Sequence, residues 1–168
     1  MRLDATERRI LELATNIKYS FEPVVMLSLY PRSQIDIFLT ILHADGAVLS
    51  AAINAVTLAL VHAGISLSSP LASVTLACIH KVPLLDPSGP EEVDLPSLTV
   101  ACLGPPNAKA TLVHLDSRLD LDRFEKMLQL GAEGCATVNR ELTEVTRTWA
   151  KDLAIHLKRS SATMQLKP

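Results

Sequence analysis

A nearly continuous apolar stretch between Gln34 and Gly64 carries the clearest structural signal in this sequence. Its first part, QIDIFLTILH, alternates apolar and polar residues, but Phe38 and Leu42 make the second face apolar as well, which predicts a strand buried on both sides. A turn is expected at Asp45-Gly46, followed by a helix from Val48 to Ala63 that closes with Gly64. Because this helix is rich in small residues, a neighbouring element must pack very close to it.

The segment before this stretch predicts a second helix. Apolar residues recur at helical spacing from Asp4 to Leu29, and Asp4 with Glu7 forms a plausible capping box. We expect Pro23 to kink this helix and Pro31 to end it, because proline lacks the backbone N–H that a helix interior requires.

Three further strands are predicted downstream. They are Leu71–His80, Ser97–Leu103 and Lys109–Asp116, and a proline-rich acidic loop separates the first from the second. The sequence GPPN between the last two strands is typical of a hairpin turn.

The remainder of the chain predicts one long helix, from Leu119 to about Lys158. Gly131 and Gly134 are expected to let this helix bend or press against another backbone. The order of elements indicates a single α+β domain over residues 1–160, and residues 161–168 are predicted to form a disordered tail.

Composition narrows the class of protein. The chain has 168 residues, with 16 Lys and Arg against 18 Asp and Glu, which excludes the strongly basic surface of a stand-alone nucleic-acid binder. Its three cysteines and five histidines lack metal-ligand spacing, so we predict no metal site. The cysteines are odd in number and widely spaced, which suggests no disulfide framework and favours a reducing compartment. With neither a signal peptide nor a long apolar run, the chain is expected to be neither secreted nor membrane-spanning.

Several segments, in order and spacing, resemble the RNase PH family. They are TERRILELATNI, YPRSQIDI, the ADG turn, VTLALVHAGIS and PLLDPSGPEE, and the likeness extends from about Thr6 to about Lys158. The resemblance implies an RNase PH-like (ribosomal protein S5 domain 2-like) fold, with a mixed sheet packed against helices. Roughly the N-terminal third of the family domain, including several strands, has no counterpart in this chain.

The resemblance also implies that the turn has lost its ligand. In phosphorolytic members the turn reads GGTR, and its Thr and Arg hold the inorganic phosphate that attacks RNA, at a helix N-terminus suited to an anion. The same positions here are Gly46, Ala47, Val48 and Leu49. An isobutyl group cannot replace a guanidinium in binding a dianion, so we predict no phosphate site.

The acidic loop is predicted to be vestigial. Active relatives place two Asp residues in this loop to position Mg²⁺ and protonate the leaving oxygen, whereas this chain has Asp86 and, six positions on, Glu92. The extra methylene of Glu92 displaces its carboxylate, and a misplacement of about 1 Å can cost roughly a hundredfold in rate. The competing interpretation is an ordinary solvated loop.

Arg8 and Arg9 are the candidate RNA-binding residues. They match an arginine pair that the resemblance places in the RNA channel of the exosome ring, where cations contact backbone phosphates without reading sequence. The competing interpretation is a solvated helix face.

The resemblance therefore predicts a non-catalytic subunit of the RNA exosome ring, serving 3′-to-5′ RNA processing and decay, including rRNA maturation and mRNA turnover. The implied partners are other RNase PH-like subunits in a six-membered ring, cap subunits, a separate catalytic nuclease, and RNA. The implied location is the nucleus and nucleolus, and also the cytoplasm. The alternatives are an active phosphate-dependent exoribonuclease that uses Mg²⁺ and phosphate, or a truncated product without a stable function.

Overall fold

The computed structural model describes residues 4–80, 82–105 and 109–164. The helices are α1 (Ala5–Phe21), α2 (Val48–His62), α3 (Gly89–Asp94) and α4 (Leu121–Met164), with a short 3₁₀ helix at Leu27–Leu29. The strands are β1 (Leu71–Ile79), β2 (Val82–Leu85), β3 (Ser97–Leu103) and β4 (Ala110–Leu115). No helix in this described part is long and apolar enough to cross a membrane.

The four strands form one sheet in the order β2-β1-β3-β4. Each neighbouring pair is antiparallel, whereas a mixed sheet was expected. The register shifts between Ala101 and Cys102, so β4 carries a bulge opposite that point.

Helices cover both faces of the sheet. Strand residues alternate between the faces, so Ala101 joins a core with Phe21 and Ile53 from α1 and α2, while Val100 joins a second core with Met127 from α4. The result is an α/β/α arrangement in three layers, which confirms the predicted α+β class.

Gly64 and the two glycines of α4 behave as predicted. Gly64 has a φ of 73°, and the N–H of Ile65 donates to the carbonyl of Leu60, which closes α2. Gly131 and Gly134 face the sheet, where an added Cβ would lie 3.1 Å from a Leu76 methyl and 3.2 Å from a Leu85 methyl, respectively. They therefore let α4 press against the strands.

The first predicted helix was too long. Helix α1 ends at Phe21, two residues before Pro23, so this proline follows the helix instead of kinking it. A proline ring obstructs the preceding helical turn, and ending the helix there avoids that cost. The segment to Leu29 continues as a turn and the 3₁₀ helix.

The predicted strand QIDIFLTILH was wrong. Residues 34–43 have no regular secondary structure and form no ladder with a described strand, and Phe38 and Leu42 are 93% and 95% exposed. A strand needs a paired neighbour, and this segment instead lies beside α1 and α2, with Ile35 packed against their core.

Two elements of the acidic loop were not predicted. Strand β2 contains Pro83, and it occupies the sheet edge where proline is tolerated. Helix α3 begins at a capping box formed by Ser88 and Glu91. At the far end of the chain, α4 continues through Met164, past the predicted boundary at residue 160, and residues 165–168 lie outside the described residues.

Candidate functional site

The turn before α2 adopts a left-handed backbone at two consecutive residues. Gly46 has a φ of 86° and Ala47, the N-cap of α2, has a φ of 52°. The hydroxyl of Ser50 donates to the Ala47 carbonyl at 2.9 Å and fixes the first turn of the helix. Helix N-termini leave backbone N–H groups without intrahelical partners, so this turn is suited to an anion.

A side chain of the protein itself supplies that anion. The carboxylate of Glu92 accepts a hydrogen bond from the Ala47 N–H at 2.9 Å, across 45 positions of sequence. A carboxylate near a helix N-terminus is favoured by the helix dipole. Glu92 is therefore bonded to the turn that, by the resemblance, holds phosphate in phosphorolytic members of the RNase PH family.

A second hydrogen bond joins the same two segments. The Gly89 N–H donates to Asp45 Oδ1 at 3.1 Å, so each segment supplies one carboxylate and one backbone donor. A Cβ at Gly46 would collide with the Pro87 carbonyl oxygen. The acidic loop is thus closely docked on the turn.

The loop is also held by its own cap. Glu91 Oε2 accepts from the Ser88 N–H at 2.9 Å and from the Ser88 hydroxyl at 2.8 Å. Both bonds lower the pKa of Glu91 from its usual 4.5, and the bond from the Ser88 backbone has the larger effect. The cap orients α3 so that Glu92, the next residue, reaches Ala47.

The remaining turn positions do not offer a phosphate ligand. Leu49 is 7% exposed and packs in the core with Ile53 and Phe21, and Val48 lines an apolar groove between α1 and α2. A guanidinium at position 49 would have to be buried in that core. The residues present do not fit an inorganic phosphate, although the loss of phosphate binding stays a prediction.

Asp86 lines a cleft of about 620 Å³, which Gly46 and Ala47 of the turn also line. Asp86 is exposed with a φ of 58°, and its N–H donates to the Thr75 carbonyl at 2.9 Å. The second carboxylate lining the cleft is Glu133 of α4, which sequence reasoning did not single out. Within the described ranges no three His, Cys, Asp or Glu residues converge on a point that could hold a metal ion, and the absence of a Mg²⁺ site stays a prediction.

Two polar residues of α2 bind the backbone of β1 and were missed, and one of them, Asn54, also lines the cleft. Asn54 exchanges two hydrogen bonds with the Ser73 backbone, at 2.9 and 2.8 Å, and the Thr57 hydroxyl donates to the Leu71 carbonyl at 2.7 Å. Strand β2 pairs only with Leu76–Ile79, so these side chains satisfy the part of β1 that β2 does not reach. Their spacing of three residues in a largely apolar helix was the available signal.

Arg8 and Arg9 lie near the start of α1, and both side chains are exposed. Of the ion pairs found among the described residues, none involves either arginine. Helix α1 packs on α2 and β4, where Glu12 lies 3.9 Å from His114. The structure leaves the arginine pair open to a polyanion, and RNA contact stays a prediction.

Comparison with known proteins supports a single family. The profile described as "3' exoribonuclease family, domain 1" matches residues 2–66, and "3' exoribonuclease family, domain 2" matches residues 69–134. The border between them falls at the junction of α2 and β1, which Asn54 and Thr57 hold together.

Similar proteins include three curated relatives. The chain is 35% identical to "Exosome complex component SKI6" of Saccharomyces cerevisiae over 86% of the chain and 58% of the relative. It is 37% identical to "Exosome complex component RRP41 homolog" of Arabidopsis thaliana over 88% and 61%. It is 32% identical to "Exosome complex component RRP41" of Homo sapiens over 90% and 62%. The chain therefore spans about three fifths of these relatives.

A solved structure supports the fold. Rice (Oryza sativa) Rrp46 aligns with a TM-score of 0.75 at 18% identity, covering 90% of this chain and 68% of that one. Taken with the matches to both domain profiles, this shows that the chain belongs to the 3′ exoribonuclease family, RNase PH, and has its fold.

Proposed function

We propose that this chain is a non-catalytic RNase PH-like subunit of the RNA exosome ring, which scaffolds the ring and lines the RNA path during 3′-to-5′ RNA processing and decay. The observation that carries the proposal is the hydrogen bond from the Ala47 N–H to Glu92. It places a carboxylate of the protein where a phosphorolytic enzyme needs an inorganic anion, and two anions repel each other at one N-terminus.

Two further observations support inactivity. Leu49 is committed to the core, so the turn has no cation. Glu92 is bonded to Ala47 and does not line the cleft that Asp86 and Glu133 line. Neither Mg²⁺ nor phosphate has a role in the proposed function.

The exposed apolar face supports a role within an assembly. Phe38 and Leu42 are almost fully exposed, and a groove of about 750 Å³ lies between α1, α2 and residues 35–41. An apolar surface of this kind marks a protein interface or an aggregation site. We assign it to contact with another RNase PH-like subunit of the ring, in the nucleus, the nucleolus and the cytoplasm.

Co-expression tests the assembly. The full chain, produced with an RNase PH-like exosome subunit from the same genome, is expected to form a heteromeric complex in native mass spectrometry. Phe38→Ser with Leu42→Ser is expected to abolish the complex. Val93→Ser, at an 83% exposed position on α3, is the matched control and is expected to leave it intact. A chain that stays monomeric beside its partner would contradict the proposal.

The rival function is phosphate-dependent exoribonuclease activity. The exposed Asp86 carboxylate in its cleft is the observation that favours it. Phosphate-dependent release of nucleoside diphosphates by the assembled complex, lost on Asp86→Ala, would establish the rival.

A further inference from the structure

Close packing of α4 brings two cysteines together at the sheet, away from the acidic loop. Gly131 of α4 lies so near the strands that a Cβ there would be 3.2 Å from a Val100 methyl. Cys135, one helical turn further along α4, is 1% exposed, and its Sγ donates to the Val100 carbonyl at 3.5 Å.

Cys102 lies two residues beyond Val100 on β3. Successive side chains of a strand alternate between faces, so Cys102 points to the same side as Val100, toward α4. It packs against the core that contains Cys135. On this face Val100 lies against Gly131 of α4 and Gly104, just beyond β3, lies against Asn139 of α4, so Cys102 and Cys135 lie opposite each other midway between these two contacts. Cys102 is only partly buried, so solutes reach this thiol from the surface.

The two thiols have opposite acid–base properties. Interaction with the Cys135 thiol lowers the pKa of Cys102 to about 7, against the opposing effect of its burial. The same interaction, together with burial, raises the pKa of Cys135. The pair thus combines a thiolate that is accessible near neutral pH with a protonated thiol behind it, and the thiolate is the reactive form of cysteine.

The third cysteine provides an internal control. Cys78 is buried on β1, where it pairs with Pro83, whereas Cys102 pairs with Ala72. Ala72 and Cys78 are six positions apart along β1, a distance of about 20 Å. Cys78 is therefore out of reach of the other two thiols.

We propose that Cys102 and Cys135 form an oxidisable dithiol, which hydrogen peroxide converts to an intramolecular disulfide joining β3 to α4. The Cys102 thiolate attacks one oxygen of the peroxide, the O–O bond breaks, and sulfenic acid and hydroxide are produced. The Cys135 sulfur then attacks the Cys102 sulfur, the S–O bond breaks, and the Cys135 proton leaves with the hydroxyl as water. Both electrons lost by the thiols are taken up by peroxide.

Peroxide treatment of the reduced full chain tests the product. The expected product is lighter by two hydrogen atoms and gives a peptide cross-linked between Cys102 and Cys135, and the same product is expected from Cys78→Ser. Cys102→Ser and Cys135→Ser are expected to give no cross-link. A stable sulfenic acid on Cys102 in the unaltered chain, or oxidation of Cys78 at the same rate, would overturn the proposal.

Alkylation by iodoacetamide at pH 7 tests the pairing without oxidation. Cys135→Ala is expected to return the pKa of Cys102 toward the ordinary value of 9.0. At pH 7 the fraction of Cys102 present as thiolate then falls about fiftyfold. The more basic thiolate is about eightfold more nucleophilic, which offsets part of this loss. The expected loss of rate is about sixfold. Cys135→Ser keeps an O–H donor and is expected to retain the rate of Cys102. Equal rates in the Ala variant and the unaltered chain would overturn the pairing.

Discussion

The Oε2 atom of Glu92 accepts a hydrogen bond from the Ala47 N–H at 2.9 Å, so the acidic loop closes the N-terminus of α2. The resemblance implies an Asp at this position in active relatives. The residue thus has a structural role in a position where the resembled family has a catalytic one.

Glu92→Ala is expected to lower the free energy of unfolding by about 1–2 kcal/mol, because the Ala47 donor loses a charge-assisted bond at the helix N-terminus. Thermal and urea unfolding of the full chain measure the change. Glu125→Ala, on an exposed position of α4, is the control and is expected to change it by less than about 0.5 kcal/mol. Equal effects of the two changes would mean that the Glu92 contact does not stabilise the fold.

Gly46→Ala is expected to be far more destabilising than Gly64→Ala. Both glycines have positive φ, 86° and 73°, so both changes incur backbone strain of about 1 kcal/mol. Only at Gly46 does the new Cβ meet the Pro87 carbonyl, whereas open space surrounds Gly64. Because both variants carry the strain and only one carries the collision, the difference between their melting temperatures measures the effect of the contact with the acidic loop. Similar melting temperatures would show that the loop is loosely held.

Local patterns predicted α2 and the strands β1, β3 and β4 closely, but they made α1 too long, missed α3 and β2, and predicted one strand that does not form. Helix α2 and its closing Gly64 depend on neighbouring residues, and they were predicted almost to the residue. The strand at residues 34–43 was not formed, because pairing depends on a neighbour that apolar alternation cannot supply. Strand β2 was missed because Pro83 argues for a loop until its place at the sheet edge is known.

The candidate site was predictable in its parts but not in its connections. The sequence identified the turn at Gly46 and the acids Asp86 and Glu92. It could not reveal that Glu92 bonds to Ala47, since the two lie 45 positions apart and only the fold joins them. Leu49 was interpreted as a lost ligand, and the structure adds that it is a core residue.

Acid sensitivity is expected from Glu91. Its pKa in the fold lies below the usual 4.5, because the Ser88 backbone and hydroxyl donate to the ionised carboxylate. This contribution is fully present above pH 4.5 and is lost as the pH falls through the lowered value. The melting temperatures of Glu91→Gln and the unaltered chain should therefore differ at pH 6 and converge in acid, and a gap that stays constant from pH 6 to pH 3 would contradict this assignment.

Arg8→Ala with Arg9→Ala is expected to weaken RNA binding by the assembled complex in a salt-dependent way. Two lost phosphate contacts reduce the logarithmic salt slope by about 1.4 for single-stranded RNA. Binding measured from low to moderate salt gives this slope. Arg147→Ala with Lys151→Ala removes the same charge from an exposed part of α4 and is the control. An unchanged slope in the Arg8 and Arg9 variant would mean that this pair is a solvated face.

The most direct test of the proposed inactivity is the phosphate-dependent release of nucleoside diphosphates from the 3′ end of RNA. The assay uses the full chain assembled with its RNase PH-like partner, with Mg²⁺ and inorganic phosphate supplied. We predict that Asp86→Ala leaves the rate of release unchanged, because the turn at Ala47 is closed by Glu92 and Leu49 is buried. Phosphorolysis that disappears with Asp86→Ala would contradict the account and show that this chain is a working exoribonuclease.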